Sequence, residues 1–336
     1  AMPHSNIAIF VPHIGCPNMC SFCNQHSISG KENPPTSLEV KAICEQALLE
    51  ISDKENTEIA FFGGSFTAIP RDYMIELLET ANKFVGEEKF FGIRISTRPD
   101  CINAEILDIL KAYGVTSIEL GAQSMCDEVL AANNRGHSSD DVRNASALIR
   151  EKGFELGLQM MVGLYKSSVK LDRFTAGEIA KLRPKTVRIY PTAILEDTRL
   201  AELYKSGEYQ PYDFSDAVAL CAELLLFFQN ENIEIIRLGL HASDMISANL
   251  VGGFYHPAFK ELCENEIFRH RISDEICGEK GEFIVEVAQK SISKAIGQNK
   301  SNIEFFAKKG IKIVVKSSQE LTKYNIKVRR CGHNCT

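Results

Sequence analysis

The feature that most constrains this 336-residue chain is the repeated alternation of a short apolar run with a longer helical pattern. Six such strand-then-helix units predict an α/β fold, with a parallel sheet that is open or curled into a partial (β/α)6 barrel and covered by helices. The predicted strands are Ile7–Val11, Glu58–Phe62, Phe91–Ser96, Ser117–Leu120, Glu155–Val162 and Thr186–Tyr190. The predicted helices are Leu38–Ile51, Arg71–Phe84, Ala104–Ala112, Ser139–Lys152, Lys170–Leu182 and Phe214–Asn230.

Composition excludes several classes of protein. With 44% hydrophobic and 24% charged residues, the chain is typical of a globular protein and not of a disordered or collagenous one. The longest nearly apolar run, Val218–Phe228, is too short to span a bilayer and contains Glu223. The first residues lack the basic and apolar regions of a secretory signal. We therefore expect a cytoplasmic protein that does not enter membranes.

Three cysteines follow the first predicted strand in a C-x3-C-x2-C loop of Cys16, Cys20 and Cys23. The chain has eleven cysteines, an odd number, so metal chemistry in a reducing compartment is favoured over a disulfide framework. Three thiolates on one loop can hold three irons of a 4Fe-4S cluster and leave the fourth iron open to a small molecule. Zinc completed by the nearby His13 and His26 is the alternative.

This cysteine loop, with Phe22 before its last cysteine, resembles that of the radical S-adenosylmethionine superfamily. The resemblance implies a partial (β/α)6 barrel and a cluster whose open iron is chelated by S-adenosylmethionine. In that family, one-electron reduction cleaves S-adenosylmethionine to a 5′-deoxyadenosyl radical, which abstracts a hydrogen atom from the substrate. Flavodoxin or ferredoxin would be the expected electron donor.

Segments after later strands extend the resemblance to the cosubstrate. Gly63, Gly64 and Ser65 match the glycine-rich motif whose backbone approaches the methionine amino group. Ser96 stands where many relatives carry a carboxylate for the ribose hydroxyls, and a serine there can make only neutral hydrogen bonds.

Two further cosubstrate residues come from the fourth strand and the loop beyond it. Gln123 lies in the strand-four segment, and Arg135 matches the arginine that pairs with the methionine carboxylate. The planar guanidinium suits that role because it can engage a carboxylate through two parallel hydrogen bonds. A surface salt bridge is the alternative for Arg135.

Within the superfamily, residues 7–240 resemble the catalytic subunit of Elongator and its bacterial relatives, on the motifs GGSFT, STRPD, ELGAQS, NRGH and IYPT. That enzyme modifies the wobble uridine of transfer RNA with acetyl-coenzyme A held by a C-terminal acetyltransferase domain. About a hundred residues follow the barrel here, too few for that domain together with the basic module described next. Carboxymethylation from acetyl-coenzyme A is therefore not expected.

The C-terminal region is basic although the whole chain has a net charge of −6. Residues 280–330 carry twelve basic and four acidic side chains, as expected of a module that binds nucleic acid; a solvated lysine-rich face is the alternative. Its β-α-turn-α-β pattern resembles that of a minimal KH domain. The alternative is a βααβ appendage that packs against the rest of the protein and binds no RNA. In a KH domain the loop approaches the backbone of about four nucleotides. The expected RNA-binding residues are Gly297, Lys300, Lys308 and Lys309.

Cysteines outside the barrel offer two alternatives. They can ligate a second iron–sulfur cluster or a zinc ion. Alternatively, a tail cysteine can act as a catalytic thiol, because the Cys-Gly context of the tail is similar to that of the catalytic cysteine in the 23S ribosomal RNA adenine methyltransferases of this superfamily. The four cysteines are Cys263, Cys277, Cys331 and Cys335.

The sequence thus predicts a radical S-adenosylmethionine enzyme that modifies a nucleotide in transfer or ribosomal RNA. One alternative is an enzyme of the same class acting on a small molecule or peptide, and the other is a non-catalytic, cluster-bearing RNA-binding or redox-sensing protein. The predicted segments are a barrel over 1–240, an irregular extension over 241–280, a KH-like module over 281–330 and a cysteine-containing tail over 331–336.

Overall fold

Seven parallel strands form the main sheet of the computed structural model, which describes residues 5–12, 20–24, 33–241 and 244–331. The strands are Ser5–Val11 (β1), Thr57–Gly63 (β2), Gly92–Thr97 (β3), Val115–Gln123 (β4), Glu155–Val162 (β5), Thr186–Pro191 (β6) and Glu234–Leu238 (β8). They lie side by side in the order β1-β2-β3-β4-β5-β6-β8, which is also their order along the chain. Ala8 of β1 and Arg237 of β8 line the same cavity, which shows that the sheet is curled.

Helices connect these strands, and side-chain caps fix where several of them begin. Thr36 and Glu39 form a capping box, as do Ser138 and Asp141, so donors of the first helical turn that lack a partner within the helix are satisfied by side chains. The short antiparallel strands Ala193–Leu195 (β7) and Leu250–Gly253 (β9) pair separately from the main sheet. The helices are Ser37–Glu50, Arg71–Asn82, Ala104–Ala112, Asp127–Ala132, Ser139–Glu151, Val169–Lys181, Arg199–Lys205, Phe214–Asn230 and Asp244–Ala248.

A buried ion network crosses β2, β3, β4 and β5. Arg94 is 1% exposed, and its guanidinium donates to Glu58 at 2.6 Å, to Glu119 at 3.2 Å and to Glu155 at 2.9 Å. Glu119 also accepts from Nε of Arg188 at 2.8 Å. Burying these charges is tolerable only because each is paired and hydrogen-bonded, so the network specifies how the strands align.

The chain divides into two units, residues 1–212 with 228–255, and residues 213–227 with 256–336. The second unit has a three-stranded sheet in the order β11-β10-β12, in which β10 (Gly281–Ala288) pairs parallel with β11 (Ile311–Ser318) and antiparallel with β12 (Ile326–Arg330). Its helices are Phe259–Ile276, Ile292–Ile296 and Ser301–Ala307, together with the first part of Phe214–Asn230.

The structure confirms the predicted α/β class and, within a few residues, each predicted strand of the barrel. It adds β8, which the sequence pattern did not reveal, and it confirms the β-α-turn-α-β order of the basic module. The prediction of an irregular segment over 241–280 is wrong, because helix Phe259–Ile276 occupies eighteen of those residues. Across the part of the chain that the structure describes, no helix has the length and apolarity needed to cross a membrane.

Candidate cluster and cosubstrate site

A cavity of about 460 Å³ opens at the carboxyl ends of the main-sheet strands. In parallel α/β sheets this end collects the loops that carry chemistry. Cys16 lies outside the described residues, and the predicted site residues that line the cavity are Cys20, Cys23, Gly63, Gly64, Ser96, Gln123 and Arg135.

The cysteine loop is fixed by the buried residues Ser21 and Asn133. The backbone N–H of Ser21 donates to the carbonyl of Asn133 at 3.1 Å, and its hydroxyl donates to Oδ1 of the same residue at 2.8 Å. The Asn133 amide donates in turn to the carbonyls of Val129 at 2.8 Å and Tyr165 at 2.9 Å. One amide therefore ties the cysteine loop to the loops that follow β4 and β5.

Arg135 lies beside the cysteines and is only 6% exposed. Its Nη1 donates to Sγ of Cys20 at 3.1 Å, and its Nη2 donates to the carbonyl of Gly121 at 2.6 Å. Its Nε is buried without a hydrogen-bond partner among the described residues. This burial excludes the surface salt bridge considered as the alternative and leaves a donor available to a bound molecule.

Gly63 brings the end of β2 against β1. Its φ of +118° is rare for residues with a side chain, and a Cβ would lie 2.5 Å from the carbonyl oxygen of Val11. The N–H of Gly64 donates to that same oxygen at 3.0 Å. Glycine is thus required at position 63, where the end of β2 lines the cavity.

Gln123 ends β4 in a strained conformation. Its φ is +65°, and the register of β4 against β5 shifts between Gly121 and Gln123, which marks a bulge. Its Oε1 is buried without a hydrogen-bond partner among the described residues. Backbone strain and bulges of this kind are frequent at active sites and ligand-binding sites.

His137 lies in the same loop as Arg135, and its imidazole is neutral at physiological pH. Burial, and then the charge of Arg135, lower its pKa to about 4. Its Nε2 lies 3.2 Å from the carbonyl of Ala122, so the imidazole holds this loop to the end of β4.

The two predicted site residues Ser65 and Ser96 lie in different surroundings. Ser96 lines the cavity, and its Oγ accepts from Nε2 of Gln159 at 3.5 Å. Ser65 is not among the lining residues; its hydroxyl lies 2.8 Å from that of Thr97, which also lies 2.6 Å from that of Thr67. The structure therefore places Ser65 in a hydroxyl cluster that joins the loops after β2 and β3.

The residues present fit an iron–sulfur cluster and a polar cosubstrate. Cys20 and Cys23 offer soft thiolate ligands on one short loop, where the N–H of Cys23 donates to the carbonyl of Cys20 at 3.0 Å. Buried Nη1 of Arg98 joins Nε of Arg135 and Oε1 of Gln123 as polar atoms without described partners around the cavity. Such atoms are costly unless a bound molecule or water satisfies them.

Sequence reasoning missed two buried polar residues that hold the loops after β4 and β5. Asn133 stands directly before the motif that contains Arg135, and only its complete burial shows its role. Asp172 is also buried and accepts from the N–H of Gly163 at 2.8 Å, the hydroxyl of Tyr212 at 2.9 Å and the hydroxyl of Ser167. A single Asp in a helix pattern gives no sequence signal of such a hub.

The predicted RNA-binding residues all belong to the second unit. Gly297 has a φ of +84°, and a Cβ there would lie 2.4 Å from Oγ of Ser301, so the turn itself requires glycine. Lys300 is exposed with a φ of +64°. Lys308 and Lys309 are exposed just after helix Ser301–Ala307, and Nζ of Lys309 lies 4.0 Å from the ring centroid of Phe305.

Among the described residues, Cys263, Cys277 and Cys331 do not form the second metal site that the sequence suggested as an alternative. Cys263 is buried beside Cys221, Cys277 is exposed with its Sγ 2.9 Å from the carbonyl of Asp274, and Cys335 lies outside the described residues. Burial, and then Cys221, raise the pKa of the Cys263 thiol, which disfavours the thiolate that a metal needs. Within the described ranges, no three His, Cys, Asp or Glu side chains form a metal-holding group.

Comparison with known families gives two matches that follow each other along the chain. The model of the radical SAM superfamily matches residues 10–170, and that of the Radical_SAM C-terminal domain matches residues 184–269. The first range contains all three motif cysteines, Gln123 and Arg135.

Individual relatives agree with these matches. Human Elongator complex protein 3 is 34% identical over 194 residues, covering 51% of this chain and 35% of the relative. The tRNA uridine(34) acetyltransferase of Methanocaldococcus jannaschii is 28% identical over 256 residues, covering 70% of this chain and 46% of the relative. The chain thus spans less than half the length of these two proteins. The solved structure of archaeal Elp3 from Methanocaldococcus infernus shares the fold, with a TM-score of 0.63 at 21% identity over 88% of this chain and 68% of that one.

Proposed function

Because this chain belongs to the radical SAM superfamily, we propose that it is the enzyme that modifies one nucleotide of a transfer or ribosomal RNA. The observation that carries the proposal is the position of Arg135, which is buried, touches Cys20 and lines the same cavity as Gly63, Gly64 and Gln123. Transfer RNA is favoured over ribosomal RNA because the curated relatives include tRNA uridine(34) acetyltransferases.

The residues around the cavity divide the work of holding the cluster and the cosubstrate. Cys16, Cys20 and Cys23 would ligate three irons, and Arg135 would bind the carboxylate of S-adenosylmethionine. When bound, the two groups supply a 5′-deoxyadenosyl radical after one electron arrives from a donor such as flavodoxin or ferredoxin. Ser96 is placed for a neutral hydrogen bond to the ribose.

The second unit would hold the RNA. The glycine turn at Gly297, with Lys300 exposed beside it and Lys308 and Lys309 nearby in sequence, offers positive charge to a nucleic-acid backbone. The β-α-turn-α-β order of this module is the order expected of the minimal KH domain that its sequence resembles, which supports an RNA-binding role.

The proposal is tested by mass spectrometry of nucleosides from digested transfer and ribosomal RNA of wild-type cells and of cells that lack the gene. We expect one modified nucleoside to disappear, to return with the wild-type gene and the Cys126→Ala variant, and to stay absent with Cys20→Ala. Cys126 is a matched control because its backbone precedes helix Asp127–Ala132 and its side chain makes no cap hydrogen bond.

Two outcomes would contradict the proposal. An unchanged nucleoside profile would favour a small-molecule or peptide substrate for the same chemistry. Full rescue by Cys20→Ala would show that the RNA effect does not need the cluster, as expected of a non-catalytic RNA-binding protein.

A further inference from the structure

Two arginines stand side by side on the last two strands of the main sheet. Arg188 of β6 and Arg237 of β8 are register partners, so their Cα atoms lie about 5 Å apart. Both side chains line the cavity. Two like charges at neighbouring positions of a sheet repel each other unless an anion lies between or near them.

The described residues that line the cavity provide no carboxylate to serve as that anion. Among its described lining residues there is no aspartate or glutamate, whereas the basic ones are Arg98, Arg135, Arg188, Arg237 and His241. A concave site lined by one sign of charge concentrates ligands of the opposite sign.

Two of these arginines have a carboxylate partner behind the cavity wall. Arg98 donates to both carboxylate oxygens of Asp100 at 2.9 Å, and Arg188 donates to Glu119 at 2.8 Å. Arg237 differs, since its Nε donates to the carbonyl of Gly239 at 3.0 Å and no carboxylate of a described residue forms an ion pair with it. Among the described residues, the charges of Arg135 and Arg237 are therefore left without a carboxylate, and Arg135 lies beside Cys20.

We propose that Arg188 and Arg237 form an oxyanion subsite, which binds a phosphate or carboxylate of a second molecule beside S-adenosylmethionine. Tyr190 also lines this part of the cavity, and burial raises the pKa of its phenol, so the hydroxyl remains protonated and can donate a third hydrogen bond. Guanidinium groups bind both kinds of oxyanion through paired N–H donors.

The inference rests on the proposed function in one respect. S-adenosylmethionine has a single carboxylate, which the proposed function assigns to Arg135 beside Cys20, so the anion at Arg237 belongs to a second molecule. It is either the phosphate of the nucleotide that is modified or the carboxylate of a small cosubstrate that donates the transferred group. Nucleoside analysis tests the function without altering Arg237, whereas ligand binding tests the subsite without turnover.

The test is calorimetric titration of the full-length, anaerobically reconstituted protein, saturated with S-adenosylmethionine, with uridine 5′-monophosphate, uridine and malonate. We expect at least one anion to bind the wild type and to bind Arg237→Gln at least about tenfold more weakly, because one charged hydrogen-bonding group is lost. Uridine, which carries no phosphate or carboxylate, should bind the wild type and Arg237→Gln with equal affinity. Preference for the nucleotide identifies phosphate as the source of the oxyanion, and preference for malonate identifies a carboxylate.

The matched control is Arg71→Gln, which removes the same charge from an exposed pair with Glu105 in the same unit. Its anion affinity should equal that of the wild type. Arg237→Lys should bind the anion several-fold more weakly than the wild type, since an ammonium group lacks the planar pair of donors of a guanidinium. This variant replaces Arg237→Gln in the titration if Arg237→Gln does not fold. Unchanged affinity in the Arg237 variants, an equal loss in Arg71→Gln, or no anion binding to the wild type would overturn the proposal.

Discussion

Nη1 of Arg135 donates a hydrogen bond to Sγ of Cys20 at 3.1 Å, although 115 residues separate the two in sequence. The contact joins the cysteine loop after β1 to the loop after β4, and the donor that remains, Nε, is buried without a described partner. One residue can thus touch both the cluster ligand and a bound cosubstrate, which couples the geometry of the two.

Asn133 is predicted to hold the cysteine loop in shape. Asn133→Ala removes the acceptor of the Ser21 hydroxyl and the donor to the Tyr165 carbonyl, both in buried surroundings. We expect a loss of about 2 kcal/mol in the free energy of unfolding, together with less iron bound per chain after reconstitution. Thermal melts and iron analysis check both effects. Asn144→Ala, on an exposed face of helix Ser139–Glu151, should change neither, and equal iron content in the two variants would contradict this role.

Asp172 is predicted to make stability depend on pH. Burial raises its pKa from 3.8 to about 6, more than its hydrogen bonds lower it. The folded state therefore binds more protons than the unfolded state between these values, so this contribution to stability is complete below about pH 4 and is lost as the pH rises through 6. The loss is on the order of 3 kcal/mol. Melts from pH 4.5 to 7 should show a smaller decline for Asp172→Asn, and parallel curves would exclude this carboxyl as the cause.

Arg94 is predicted to be essential for stability. Arg94→Met would leave Glu58 and Glu119 buried with fewer partners, at a cost of about 3–5 kcal/mol. Arg71→Met, in an exposed pair with Glu105, should cost about 1 kcal/mol or less. Urea unfolding of both variants measures the difference, and similar midpoints would contradict it.

The lysines of the second unit are predicted to bind RNA through its phosphates. Changing Lys300, Lys308 and Lys309 to Gln should weaken transfer RNA binding and should reduce the slope of log affinity against log salt by about 2. Filter binding at several salt concentrations measures this slope. The control variant carries Lys41→Gln, Lys83→Gln and Lys89→Gln on exposed positions of the first unit. An equal change of slope in both triple variants would show that the effect comes from the overall charge of the protein, and it would contradict this prediction.

Much of the fold was predictable because each barrel strand is a short apolar run between helices with clear caps. Strand β8 was missed because Glu234–Leu238 contains Arg237 and is only partly buried. Helix Phe259–Ile276 was missed because polar residues such as Glu264 and Asn265 interrupt its apolar face, although both are buried.

The candidate site was predictable where chemistry dictates the residue type, as for the cysteines, Gly63 and Arg135. Contacts between distant loops were not predictable, because the partners of Asn133 and Asp172 are backbone groups or side chains far away in the sequence. A backbone N–H or carbonyl leaves no trace in the sequence, so only the folded chain shows which side chains contact it.

The most direct test of the account is the formation of 5′-deoxyadenosine from S-adenosylmethionine by the anaerobically reconstituted, chemically reduced protein. The wild type and Cys126→Ala should produce it, and Cys20→Ala should give none while keeping the circular dichroism of a folded chain. Production by a folded Cys20→Ala variant at the wild-type rate, or none by a wild-type protein loaded with its cluster, would contradict the assignment of the cysteine loop and with it the central claim.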